Sequence, residues 1–444
     1  MLATRWFTGW FGSFRASVGL RTTRRRRRYH DYGPVIEALE SRQLLSASAV
    51  TVDLSAAAAP TNSGADYIYS RKGNKQDAGA MQGLGGVALE GGGTDVSAAF
   101  RWMIGRMGGE GDFLVIRATK DAKYDPYIFK LGGTNSVATL DIPSRAAALD
   151  PAVKQIIENA DAIFIAGVAQ SDYINFWERT PVQTAIADDV ARGVPIGGTS
   201  AGADVIGQFV YSALNNSTSS AAALADPFNS DITLARNFIS SSDILPFLNN
   251  TLVDTHFITR DRTGRMIAFL ARVDTNGWSP DNEPMGIGIN EETALLIAPD
   301  GQAQVIGNAG ATSPPEVDFF QTPGLPQVCE PGQPLTYSPI LVDRIIPGGT
   351  FDLSNWAASW QVNSAFSTHF TITVTNGVLS TTPSASVATG LASTTSASAS
   401  VTPGTDTLIQ PDDPAAHGTG YLVVNDGISG LVAPEKKRDP RDWL

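Results

Sequence analysis

Gly198-x-Ser200-x-Gly202 is the segment of this 444-residue chain best suited to covalent chemistry. It lies in Gly197-Gly198-Thr199-Ser200-Ala201-Gly202-Ala203, between the apolar run Val194-Pro195-Ile196 and the helical spacing of Val205, Ile206, Phe209 and Val210. Small residues on both sides of a serine permit a tight, strained strand-to-helix turn that lifts the hydroxyl above the strand ends, as in a nucleophile elbow. The amide of Ala201 and the start of the following helix then point at the oxyanion formed on attack. A glycine-rich turn without chemistry has the same string, so the motif gains meaning only with a base.

There are four histidines to choose from: His30, His256, His369 and His417. His30 adjoins an arginine run, and His369 and His417 fall in or near a low-complexity tail. His256 ends the apolar run Leu252-Val253-Asp254-Thr255, and strand ends are where open α/β sheets place their sites. It is therefore the expected base, against the alternative of a satisfied strand-end histidine. Arg260, Arg262 and Arg265 follow within ten residues. Guanidinium groups bind carboxylates bidentately, so this set reads as a clamp or, more blandly, as a solvated basic loop. An arginine in the first turn of a helix opposes the helix dipole, which points to another purpose for Arg265.

The elements that must position these residues alternate along the chain. Short apolar runs at Gly85–Leu89, Phe113–Ile116, Ala162–Ile165 and Val194–Ile196 predict strands. Between them, Asp95 reads as the N-cap of a helix bearing Val96, Phe100, Met103 and Ile104, and residues 153–160 predict a second helix. Thr180-Pro181 opens a third, and Gly193 closes it. Strands alternating with helices predict an α/β fold, a mostly parallel sheet with helices on both faces. The close runs Met285–Ile289, Ala294–Ile297 and Ala303–Ile306 add antiparallel strands toward the C-terminus.

The net charge is −12, and it is unevenly placed. Residues 1–28 hold eight arginines and no acid, leaving 24 basic against 44 acidic residues in the rest. Such an acidic body repels phosphate backbones, which argues against a nucleic-acid partner. The single cysteine, Cys329, excludes an internal disulfide framework and a cysteine-based zinc cluster. No apolar run reaches 18 residues, so no membrane-spanning helix is expected. Three regions follow: a basic targeting and linker segment at 1–80, mostly disordered; a catalytic body at 82–355; and a Ser/Thr-rich, low-complexity tail at 356–444.

Ser200 in Gly-Gly-Thr-Ser-Ala-Gly-Ala, with Asp254-x-His256-Phe257-x-x-Arg260-x-Arg262-x-Gly264-Arg265, resembles the cyanophycinase family of serine peptidases. Supporting stretches are Glu90-Gly91-Gly92-Gly93-Thr94-Asp95, Phe164-Ile165-Ala166-Gly167 with Gln170, and Gly286 to Ala294. The resemblance runs from Gly85 to about Trp356. It implies a sheet similar to that of class I glutamine amidotransferases and hydrolysis of β-aspartyl-arginine linkages in cyanophycin, a polymer with an aspartate backbone and arginine side groups. It also implies Ser200 as nucleophile and His256 as base, then acid. The oxyanion would be held by the amide of Ala201 and one from the Gly167-Val168 turn, and substrate by Gln170, Arg260, Arg262 and Arg265. No metal or organic cofactor is implied, and the expected partner is a peptide or cyanophycin-like polymer, with a homodimer left open. The stretch 38–47 resembles a bacterial Leu-Glu-Pro-Arg-x-Leu-Leu motif, with Ser41 in place of the proline, and favours export.

The chain departs from the family pattern in several places. Val168-Ala169 stands where the family has Gly-Asp, Thr255 where many members have Gln, and Asn290 where Asp is usual. Between Ser200 and His256 there is no Glu, and Asp226 is the expected third member of a triad. Two other functions stay open: a serine acyl hydrolase or peptidase of broader specificity, and a catalytically impaired carboxylate-binding homologue.

Overall fold

Both faces of the central strands are apolar, so the first sheet must be covered on both sides. In β2 (Val87–Glu90), Val87 and Leu89 join one core cluster and Ala88 another; in β3 (Asp112–Arg117), Leu114 and Ile116 face one way, Phe113 and Val115 the other. The structure is a computed structural model that describes residues 67–79, 81–119, 124–356 and 365–383, with the backbone of 424–425 and 428–429. Strands β4 (Ser136–Asp141), β5 (Ala162–Ile165) and β6 (Ile196–Thr199) complete a parallel core in the spatial order β4-β3-β5-β6-β2. One face is covered by α1 (Ser97–Arg106) and α2 (Tyr124–Lys130), whose Phe100, Met103 and Ile128 are fully buried. On the other lie α3 (Arg145–Ala148), α4 (Pro151–Glu158), α5 (Gln170–Trp177) and α6 (Pro181–Ala191). The predicted α/β class, with its helices on both faces, is thus observed.

Proline and glycine signals hold, while the expected side-chain caps do not: Thr180 precedes α6 but its hydroxyl donates to the Trp177 carbonyl at 2.7 Å. Pro151 and Pro181 stand in the first turns of α4 and α6, and Gly193 takes φ +89° just beyond α6. Asp95, however, does not cap α1: the helix starts one residue later, after Val96, and the Glu90 carboxylate accepts the Val96 N–H at 3.2 Å.

A second sheet takes up the rest. Strands β7 (Phe209–Tyr211), β8 (Leu234–Arg236), β9 (Thr251–Asp254) and β10 (Met285–Ile289) belong to it, with β7, β9 and β10 parallel. The chain then returns to the first sheet through β11 (Thr293–Ile297) and β12 (Gln302–Gly307), goes back through β13 (Val317–Gln321) and β14 (Tyr337–Ile345), and adds β15 (Thr350–Asp352) to the first. These pairings are antiparallel, as expected for closely spaced strands. Helix α9 (Thr263–Thr275) packs Met266, Phe269 and Leu270 on the second sheet, beside α8 (Ser220–Ala225). One apolar cluster includes Leu89 and Leu295 of the first sheet and Val253, Ile287 and Phe319 of the second, so the two sheets share a core.

The boundaries expected from composition move outward. Strand β1 (Ile68–Gly73), inside the expected linker, pairs antiparallel with β4, and Arg71 bonds Asp112 at 2.8 Å. In the expected tail, β16 (Ser367–Thr375) and β17 (Val378–Pro383) extend the second sheet. Alternation wins over Ser/Thr content there, because Ile372 and Val374 are buried and His369 bonds Asp343 of β14. His30, His417 and the motif at 38–47 lie outside the described residues. No helix among the described residues is long and apolar enough to cross a membrane.

Candidate active site

Ser200 follows β6 directly and has φ 53° and ψ −129°, a conformation strained for any residue with a Cβ. Crowding around the turn explains its glycines. A Cβ on Gly198 would stand 2.5 Å from the Gly202 carbonyl oxygen, and one on Gly202 would overlap the carbonyl oxygen of Ile165 in β5. The Ser200 N–H donates to the Glu90 carbonyl of β2 at 3.1 Å, which fixes the turn between two neighbouring strands. The helix beyond is shorter than expected: α7 (Ala201–Asp204) is one turn, and Phe209 and Val210 belong to β7 instead. So short a helix has little dipole, and the Ala201 amide counts here as a single first-turn N–H with no intrahelical acceptor.

His256 follows β9, and its Nε2 lies 2.7 Å from Ser200 Oγ. The residue is 2% exposed and has φ 47°. Its N–H donates to the Gly91 carbonyl at 2.8 Å, and a Cβ on Gly92 would overlap the ring at Cε1. The Glu90-Gly91-Gly92-Gly93 stretch is thus the bed on which the imidazole lies.

Glu291, which sequence reasoning missed, meets the other ring nitrogen: its Oε1 is 2.6 Å from His256 Nδ1. Asp226 does not. It terminates α8, and its Oδ1 accepts the N–H groups of Phe228 at 2.8 Å and Gly332 at 3.1 Å. The expectation failed because it looked for the carboxylate between Ser200 and His256 in sequence, whereas the chain supplies it from the β10–β11 connection. The available signal was the pair Glu291-Glu292 just after an apolar strand. Asn290 fastens that connection: its Oδ1 accepts from the Thr259 N–H at 3.1 Å, and its Nδ2 donates to the Pro314 carbonyl at 2.9 Å.

Burial pushes the His256 pKa below 6.5, and Arg260 and Arg262 push the same way; the Glu291 hydrogen bond opposes them. The ring is therefore neutral near pH 7. Glu291 is held below its ordinary value, first by the hydrogen bond from His256. Serine, neutral imidazole and ionised carboxylate thus stand in hydrogen-bonded series, an order that suits proton abstraction from a hydroxyl.

The expected oxyanion turn lies beside the serine. A Cβ on Gly167 would stand 3.1 Å from Ser200 Cβ, and neither Gly167 nor Val168 has φ above zero. The backbone therefore does not require the glycine that Val168 replaces.

The arginines divide. Arg260 is half-exposed, with Nε 3.9 Å from Glu291 Oε1. Arg262 is mostly buried and donates to the Thr255 carbonyl at 2.7 Å and to Asp254 Oδ1 at 3.2 Å. Arg265 is buried; its Nε and Nη2 grip Asp254 at 2.8 and 2.6 Å, and its guanidinium lies over the Tyr211 ring. The clamp expected for a substrate carboxylate is, for Arg265, closed on a carboxylate of the chain itself. That is the purpose hinted at by its place in the first turn of α9. Gln170, at the start of α5, is partly exposed and donates Nε2–H to Asp204 Oδ2 at 2.9 Å. Burial, with Asp254 nearby, pushes Asp204 up to about 7, while Arg262 and Arg265 pull it down.

Known proteins resemble part of the chain. Cyanophycinases of Nostoc sp. and Geminocystis herdmanii are each 30% identical over 186 residues, 42% of this chain and 55% and 60% of theirs. The cyanophycinase of Thermosynechococcus vestitus is 28% identical over the same length, 51% of its own. The chain thus spans about half the length of these relatives. Among solved structures, a peptidase from an acI-B1 Actinobacterium aligns at a TM-score of 0.38 and 18% identity, over 61% of this chain and 98% of its own. Residues 130–306, the stretch that carries Ser200, His256 and Glu291, match peptidase family S51, and this is the family to which the chain is similar at its site.

Proposed function

We propose that the chain is a serine-type peptidase that hydrolyses aspartyl peptide bonds, with β-aspartyl-arginine linkages of a cyanophycin-like polymer as substrate. The observation that carries this reading is the 2.7 Å contact between His256 Nε2 and Ser200 Oγ on a turn with φ 53°. The curated relatives are named cyanophycinases, which supports the substrate. In the mechanism, neutral His256 takes the Oγ proton as Ser200 attacks the carbonyl carbon, and Glu291 holds the imidazolium that results. The amides of Ala201 and of the Gly167-Val168 turn face the oxyanion. His256 then passes its proton to the leaving amine, and water repeats the sequence with the acyl group as target.

Purified protein should release aspartyl-arginine dipeptides from the polymer and react with a fluorophosphonate probe at Ser200. Ser200→Ala should do neither. Full hydrolysis by Ser200→Ala would sink the mechanism. A second reading, a serine acyl hydrolase of broader specificity, draws support from Arg265: its bond to Asp254 removes one of the cations expected to select a substrate carboxylate. Equal turnover of α-linked aspartyl peptides and the β-linked polymer would favour it.

A further inference from the structure

Beneath Ser200, four buried or mostly buried charged side chains from three elements meet: Asp204 of α7, Asp254 of β9, Arg262, and Arg265 of α9. With both carboxylates ionised, their charges cancel. Asp254 receives the hydrogen bonds of both arginines, so the hydrogen bond that Asp204 accepts comes instead from the Gln170 amide, at 2.9 Å. Asp204 lies one helical turn beyond Ser200, with its N–H donating to the Ser200 carbonyl at 3.0 Å, and Gln170 comes three residues after Gly167, where a Cβ would meet Ser200. The bond therefore ties the nucleophile turn to the expected oxyanion turn.

It also settles which end of the amide is available. Gln170 presents its NH2 end to Asp204 Oδ2, and above the value of about 7 to which Asp204 is pushed the ionised carboxylate only accepts hydrogen bonds and so holds that end. Oε1 is left as the end without a partner among the described residues. We propose that Asp204 is a positioning residue that locks the Gln170 amide with its carbonyl oxygen outward, so that Gln170 serves the substrate as a hydrogen-bond acceptor for an N–H group, not as a donor to a carboxylate. The proposal rests on the surroundings of Ser200 being the substrate site, and it assigns that site a different complement at Gln170: a peptide N–H, ammonium or guanidinium.

The test reverses the polarity of the pair. Gln170→Glu alone sets two carboxylates against each other and should raise KM for the aspartyl-arginine polymer at least tenfold. Adding Asp204→Asn supplies an NH2 donor from the inner side, while the carboxylate introduced at position 170 still offers the substrate only acceptors. The double variant should therefore return to within about threefold of the parent KM. A donor role for Gln170 predicts a double variant no better than Gln170→Glu, whereas a merely structural role predicts that Gln170→Glu also slows fluorophosphonate labelling of Ser200, a reaction with no N–H for Gln170 to accept; either result overturns the proposal. A second measurement needs no turnover. The Gln170 side-chain amide resonance of the intact protein, assigned by its loss in Gln170→Leu, should show a carboxylate-bonded proton that shifts in Asp204→Asn; an unchanged resonance also overturns the proposal. If the parent protein cleaves no aspartyl polymer, the peptidase reading fails by itself, and the resonance still decides the role of Asp204.

Discussion

At the scale of single residues, the site depends on one carboxylate that orients one ring. In the proposed mechanism, Glu291 Oε1, 2.6 Å from Nδ1, selects the tautomer that leaves Nε2 as acceptor toward Ser200 and would stabilise the charge the ring gains during attack. Glu291→Gln keeps the shape and removes the charge, so kcat should fall by about a hundred- to ten-thousandfold with KM little changed. A fall of less than about threefold would remove Glu291 from the mechanism. The pH profile carries a signature of the same contact. Burial lowers the His256 pKa and Glu291 raises it, so the acid limb of kcat/KM should lie below 6.5 in the parent and lower still in the variant. The sign is set by the base: a depressed pKa keeps the ring neutral to lower pH, and activity is lost only as pH falls through it. The serine and histidine were legible in the sequence because each ends an apolar run with a recognisable neighbour set. The carboxylate was not, because a triad is assembled in space and no spacing rule binds its third member to the other two.

At the scale of elements, the strand-to-turn connections set the precision of the site. Three of them matter: β2 into Glu90-Gly91-Gly92, β6 into Ser200, and β10 into Asn290-Glu291. Gly92 has φ +89°, and any Cβ there would overlap the His256 ring, so Gly92→Ala must both strain the backbone and displace the imidazole. A displacement of about 1 Å can cost about a hundredfold in rate. The variant should therefore label with fluorophosphonate at least about a hundred times more slowly, and an unchanged labelling rate would show that the loop yields without moving the ring. The glycines were visible in the sequence as a run, but their reason was not, since it lies in the imidazole of His256, far along the chain. The same limit applies to Arg265. Its unfavourable place at a helix start was readable, whereas its partner Asp254 became evident only when α9 was packed on the end of β9.

At the scale of the whole molecule, the site belongs to neither sheet alone. Ser200 leaves the first sheet at β6, His256 leaves the second at β9, and Glu291 lies on the crossing from β10 of the second to β11 of the first. A shared apolar core holds the sheets together, with Leu89 and Leu295 from one and Val253 and Ile287 from the other in a single cluster. A shift of one sheet against the other would pull the serine from its base before either sheet lost its hydrogen bonds. Because both sheets draw on the same core, such a shift should cost nearly as much as unfolding, and the two losses should coincide. Urea titration followed in parallel by far-ultraviolet circular dichroism and by the rate of Ser200 labelling checks this. Coincident midpoints are expected; labelling lost at clearly lower urea would mean that the sheets part as separate units and that the site is held by its loops, not by the common core.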